Sequence, residues 1–250
     1  MTANLQNINL FLSEPHDCNY LEGEMSCSLF IDPALSPDKN TYSSLIEHGF
    51  RRSGNNLYRP HCKSCQQCIS TRVKVKQFKY KSTQKRCLRK NKDLTINIKP
   101  AQFEQEHFAL YTQYLNHRHI NSGMDGATEQ DYINFLSSSW SETEFVEFRL
   151  GTKLLALAVT DVIGNGLSAV YTYFSIEQQY QKRSLGVYAI LWQIEECKRR
   201  GLQWLYLGYW IAGNKKMSYK NQYQPAECYL NSKWIKYENL IDTKIAKNKP

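Results

Sequence analysis

Three cysteines recur with two residues between each in the run HCKSCQQC: Cys62, Cys65 and Cys68. Thiolates so spaced are soft ligands that suit a zinc ion or an iron–sulfur cluster, and His61 beside them is a further ligand by type. The surrounding chain is almost purely cationic, with fifteen Lys or Arg between Arg51 and Lys99 against a single acid, Asp93. Charge that one-sided concentrates polyanions. Phe50, Tyr58, Phe78 and Tyr80 interleave it with rings on which unpaired bases can stack. The chemistry to expect is a metal-pinned module that handles nucleic acid; the blander alternatives are reduced thiols, a solvated basic face and an ordinary β-hairpin.

Composition sets the bounds. At 250 residues and a formal charge of +9 the chain makes one large domain or two modest ones. The opening MTANLQNINLFLSEP lacks the basic start and long apolar core of a secretory signal, and the apolar run Leu154–Val159 is too short to span a bilayer. Eight cysteines in such a context imply reduced thiols and a soluble, cytoplasmic protein.

The elements that must position these residues divide near Pro100. Residues 1–95 read as irregular, short-stranded and basic, a module separate from residues 96–250. Beyond it, Gln102–His117 and Glu129–Ser138 have helical patterns, and strands follow at Glu144–Leu150, Leu154–Val162 and Leu167–Phe174. Ser184 caps a long helix, Leu185–Arg200, which stops at Gly201 with Lys198, Arg199 and Arg200 in its last turn. A strand at Gln203–Gly208 and a hairpin over Cys228–Tyr237 close the order. This is an α+β sequence of elements matching the N-acetyltransferase-like (GNAT) architecture, in which two neighbouring strands splay and a substrate carbonyl sits in the gap. At the start of the long helix, Tyr188 replaces the small residue that acyl-CoA binders carry, and a bulky ring there is expected to crowd a diphosphate.

The motifs then become specific. They include Cys18-Asn-Tyr20-Leu21, Gly49-Phe-Arg-Arg-Ser-Gly54, Tyr58-Arg-Pro-His-Cys62 and Ser82-Thr-Gln84-Lys85-Arg86 in the first half. In the second they include Ala158-Val-Thr-Asp161, Ser184-Leu-Gly186-Val-Tyr188, Leu207-Gly208-Tyr209-Trp210-Ile211 and Lys216 through Tyr223 to Glu227. In number and order these resemble the aminoacyl-tRNA–protein transferases of the arginyl-transferase family, most closely its bacterial, leucine-transferring branch. The resemblance implies transfer of an aminoacyl group from charged tRNA to the α-amine of proteins beginning with Asp or Glu, which marks them for degradation. Other branches transfer arginine. Charged tRNA and acidic-N-terminus proteins are the implied partners, with neither membrane nor DNA and no organic cofactor.

Ester aminolysis needs positioning, a deprotonated amine and a place for the oxyanion. By type and place, Gln84, Lys85, Arg86, Arg89 and Arg183 with Ser184 are candidates for the tRNA phosphates. Lys216, Lys220, Tyr209, Tyr219 and Tyr223 are candidates for its 3′ end and the acceptor carboxylate. Asp161 or Glu227 is the expected general base; alternatively Asp161 closes a turn, Glu227 pairs with Lys220 and the tRNA ribose hydroxyl relays the proton. Cys18, from the family-like Cys-Asn-Tyr-Leu, joins Cys62, Cys65 and Cys68 as the fourth ligand for zinc or a 4Fe–4S cluster. Cys27, Cys87, Cys197 and Cys228 read as packing residues, and His16, His48, His107, His117 and His119 show no partner pattern.

Overall fold

A computed structural model of the protein describes residues 8–118, 126–238 and 240. The N-terminal part runs β1 (Leu10–Leu12), β2 (His16–Asp17), β3 (Met25–Ser26), β4 (Ser28–Ile31), α1 (Lys39–Glu47), β5 (Arg51–Ser53), β6 (Asn56–Pro60), β7 (Ile69–Lys74) and α2 (Ser82–Lys90). Then come β8 (Thr95–Pro100), α3 (Gln105–Arg118), α4 (Glu129–Leu136), β9 (Thr143–Leu150), β10 (Lys153–Ile163) and β11 (Gly166–Phe174). The chain continues with α5 (Leu185–Arg199), β12 (Trp204–Trp210), β13 (Ala226–Leu230) and β14 (Lys233–Lys236). His119 lies outside the described residues.

Local sequence explains most boundaries. Thr128 and Asp131 cap α4 reciprocally, each side chain bonding the other's backbone amide at 3.0–3.1 Å. Asn231 and Ser232 turn the β13–β14 hairpin with φ of 49° and 61°, the left-handed pair a two-residue hairpin turn requires. Two helices sit where the basic half reads as irregular. α1 begins at Asp38, whose carboxylate accepts the Thr41 amide at 2.7 Å, and α2 begins where Gln84 accepts the Lys81 amide at 2.9 Å. Ser184 does precede α5, but in the left-handed conformation (φ 54°), and its hydroxyl makes no capping bond.

The main sheet has eight strands in the order β14-β13-β7-β12-β11-β10-β9-β8. Strands from both sides of residue 95 share it. β7, well before that point, lies between β13 and β12, and β8, starting at it, forms the far edge. The physical reason is in β7 itself: Ile69, Ser70, Thr71 and Val73 are buried, so the strand needs partners on both edges and cover on both faces. α5 and α2 cover one face over Leu155, Leu167, Leu191, Ile194 and Leu205. α3 and α4 cover the other over Phe145, Leu157, Tyr132 and Tyr173. A second, four-stranded sheet, β1-β4-β6-β5, shares a core with α1 and with Ile163, Trp204 and Tyr206.

Candidate active site at the splayed strands

β11 and β12 run parallel and pair over only three rows, Gly166–Ser168 against Trp204–Tyr206. Past them each strand follows its other neighbour. β11 stays with β10 through an irregularity at Val159/Thr160, and β12 turns onto β7 through one between Tyr206 and Gly208. Parallel strands that part in this way leave backbone groups without ladder partners. Arg51, at the start of β5, occupies the opening. Its Nη2 donates to the carbonyls of Ala169 and Val170, both at 3.2 Å. Its guanidinium lies on the backbone of Gly208, where a Cβ would collide with it, and Gly208 also has φ +75°, so glycine is required twice over.

Next along β12, the carbonyl of Tyr209 accepts from Lys220 Nζ, whose other neighbour is Met217 Sδ at 3.3 Å. Lys220 is 4% exposed, and burial, followed by the charge of Arg51, pushes its ammonium well below the usual lysine range. Of the aromatic residues expected beside it, Tyr219 is exposed, as is Lys216. Tyr209 and Tyr223 are core residues instead. The Tyr209 hydroxyl donates to the Gly49 and Tyr58 carbonyls, and Tyr223 stacks on Phe78. Both rings serve packing because the strand and turn carrying them point those side chains inward.

The two carboxylates proposed as bases are already engaged. Asp161 is fully buried, bonded by Arg52 Nε and Nη2 at 2.5 and 2.7 Å, by the Tyr42 hydroxyl at 2.6 Å and by Thr143 Oγ1 at 2.7 Å. No amine reaches it there; it ties β10 to β5 and α1. Glu227 pairs with Arg72, not Lys220, at 2.6 and 2.9 Å, and Arg72 is stacked between Trp204 and Trp234.

The phosphate candidates separate by role. Lys85, Arg86 and Arg89 stand exposed on α2, with no acidic partner among the described residues. Gln84 is buried and caps the helix, donating also to the Gln222 carbonyl. Arg183 is held bidentately by Asp93 at 2.8 Å. Tyr188 turns into the core against Phe148 and does not fill the mouth of the α5 loop as its bulk suggests.

Cys18, on the β2–β3 loop, and Cys62, Cys65 and Cys68, on the β6–β7 loop, are all half-buried free thiols. Burial first, then the neighbouring Cys18, Cys62 and Cys65, push the Cys68 thiol up to about 12. Thiolates are the donor type that zinc or an iron–sulfur cluster takes. Cys87, Cys197 and Cys228 are buried, as expected of packing residues. His107 does have partners. It meets Glu147 at 2.7 Å and Glu104 at 3.7 Å, but Lys99 and Arg149 bond the same carboxylates, so cations already fill the cluster.

Among the described residues no helix is long and apolar enough to cross a membrane. The family model for the arginine-tRNA-protein transferase N terminus matches residues 16–86, and that for the C terminus matches residues 106–230. An aspartate/glutamate leucyltransferase of Saccharophagus degradans is 45% identical over 94% of this chain and 99% of its own. Those of Alcanivorax borkumensis and Pseudomonas fluorescens are 48% and 46% identical, over 93% and 92% of this chain and 95% and 97% of theirs. Among solved structures, the C-terminal DUF2156 domain of an Agrobacterium fabrum protein aligns at 14% identity with a TM-score of 0.46, over 68% of this chain and 51% of that one. With identity this high along nearly its whole length, the chain belongs to the aspartate/glutamate leucyltransferases of the arginine-tRNA–protein transferase family.

Proposed function

We infer that the protein transfers leucine from leucyl-tRNA to the α-amine of proteins beginning with Asp or Glu, in the cytoplasm, marking them for degradation. The observation that carries this is the near-complete alignment with leucyltransferases at 45% identity. In the reaction the acceptor nitrogen attacks the ester carbonyl, an amide C–N bond forms, the C–O bond to the tRNA ribose breaks, and the amine proton ends on the ribose oxygen. No redox partner is required. The catalytic half is GNAT-like in this reading, supported by the antiparallel β9–β11, the parallel β12 and the gap between β11 and β12. In the gap, backbone groups released where the strands part offer the developing oxyanion fixed dipoles. Lys85, Arg86 and Arg89 on α2 bind tRNA phosphates, and exposed Lys216 and Tyr219 border the 3′ end.

Cys18, Cys62, Cys65 and Cys68 hold a metal centre in this reading, zinc or a 4Fe–4S cluster, which ties the β2–β3 loop to the β6–β7 loop. Its role is structural; no bond of the substrate is broken at it. Metal analysis and the visible spectrum of protein purified without oxygen separate the two: stoichiometric zinc with no visible absorbance, or iron with a broad charge-transfer band.

The test of the function is transfer of labelled leucine or arginine from charged tRNA to peptides beginning Asp, Glu, Lys or Ala. Label moving from leucyl-tRNA to the Asp and Glu peptides alone is expected. Transfer of arginine would keep the reaction and change the donor; tRNA binding with no transfer would leave an RNA-binding protein.

A further inference from the structure

We propose that Arg51, with Lys220 beside it, is the receptor for the acidic side chain of the acceptor's first residue, and so sets the enzyme's choice of Asp and Glu over their amides. This rests on the proposed reaction. Arg51 is the residue that the splay itself presents: its guanidinium fills the opening between β11 and β12, lying on Gly208 while Lys220 binds the carbonyl of Tyr209, the very next residue. The two cations therefore flank consecutive residues of one strand at the edge of the gap. Neither meets a carboxylate among the described residues. Arg51 gives Nη2 to two neutral carbonyls and faces the Tyr209 ring, and Lys220 has a carbonyl, a thioether and the Tyr219 ring, with the Cys68 thiol near enough to feel its charge.

Most of the other buried or half-buried arginines in the described residues have an acid, though half-buried Arg59 has only the His48 carbonyl. Arg52 has Asp161, Arg72 has Glu227, Arg149 has Glu147 and Glu106, and Arg200 has Glu144 and Glu196. Two cations packed together without one are costly unless a ligand supplies the negative charge. Nε and Nη1 of Arg51 have no acceptor among the described residues, yet neither is sealed from solvent, so donors remain for an incoming group. The exposed rings of Tyr20 and Tyr219 lie near enough to feel the charge of Arg51. Two basic groups on consecutive residues of one strand suit a single carboxylate on a short side chain. A phosphate chain is better matched by the open row of cations on α2. A carboxylate anchored in the gap also leaves its own α-amine close to the gap where the ester carbonyl is expected.

The test compares peptides that begin with Asp or with isosteric Asn, on the full-length protein. Calorimetric binding is measured first, because it does not depend on transfer. The wild type should bind the Asp peptide the more tightly. Arg51→Gln should lose at least about 30-fold for Asp, the scale expected when one partner of a buried charge pair is removed, with Asn binding and the KM for leucyl-tRNA unchanged. In transfer assays the Asp/Asn ratio of kcat/KM should fall by the same factor. Because Arg51 also holds the Ala169 and Val170 carbonyls, Arg51→Lys is the second variant; it keeps the charge without the planar fork and should keep most of the preference for Asp. A wild type that does not distinguish Asp from Asn overturns the assignment, as does a variant in which both peptides weaken equally or only the KM for leucyl-tRNA rises. Failure of leucine to transfer at all, with Asp binding still dependent on Arg51, would instead remove the proposed reaction and leave the receptor.

Discussion

Asp161 shows how a carboxylate with a catalytic look can be wholly structural. Its four donors neutralise it and it has no opening, so its contribution is to stability. Breaking a buried pair from one side leaves the other charge uncompensated at about 3–5 kcal/mol. Asp161→Asn is therefore expected to lose roughly that in urea unfolding, while the folded fraction keeps its transfer rate per molecule. Glu147 gives the acid dependence. Burial alone would raise its pKa, but hydrogen bonds from Arg149, His107, Asn97 and Lys99 outweigh it and hold the carboxyl well below the usual range. A depressed carboxylate adds stability that is complete above the unfolded pKa of about 4.3 and drains away as pH falls below it. Urea midpoints at pH 7, 5 and 3 should fall steeply at the acid end for the wild type; Glu147→Gln should start lower at pH 7 and fall less.

At the scale of elements, α2 and β12 carry opposite kinds of cation. Lys85, Arg86 and Arg89 are solvated and free to move onto phosphate. Replacing each with alanine should weaken leucyl-tRNA binding and flatten its salt dependence by roughly 0.7–0.9 in log–log slope for each phosphate left without its cation, which binding at several salt concentrations reads directly. The β12 site is rigid by contrast. Gly208 is its hinge: positive φ and the guanidinium packed on it both exclude a side chain. Gly208→Ala is expected to cost more than the ~1 kcal/mol of an ordinary Gly position and to reduce the preference for Asp by moving Arg51. Preference intact with stability lost would separate the two effects.

For the molecule as a whole, the decisive feature is one sheet shared by both halves of the chain. Residues 96–250 lack β7, so β12 and β13 would face each other across an unfilled strand position and Val73 and Ile69 would leave the core. That fragment is expected to show no cooperative unfolding by circular dichroism. The intact chain should unfold in one transition seen alike by near- and far-ultraviolet signals, since the Arg52–Asp161 pair and the Tyr209 hydroxyl also join the two sheets.

The sequence alone determined the family, the meander and long helix of the second half and the positive charge, because each depends on residues close together along the chain. Periodicity marks β9 to β11 and α5, Asn231-Ser232 marks a turn, and motif order marks the kinship. The tertiary structure alone decided what those residues face. β7 reads as part of a basic module until its two neighbours are known. Asp161 looks available until Arg52, more than a hundred residues away, is seen bonded to it. Arg51 is one basic residue among many in the sequence, and only the parting of β11 and β12 gives it a place. Pairing across such distances is fixed by packing and by the cost of leaving buried charge and backbone unsatisfied, and neither is written in local spacing.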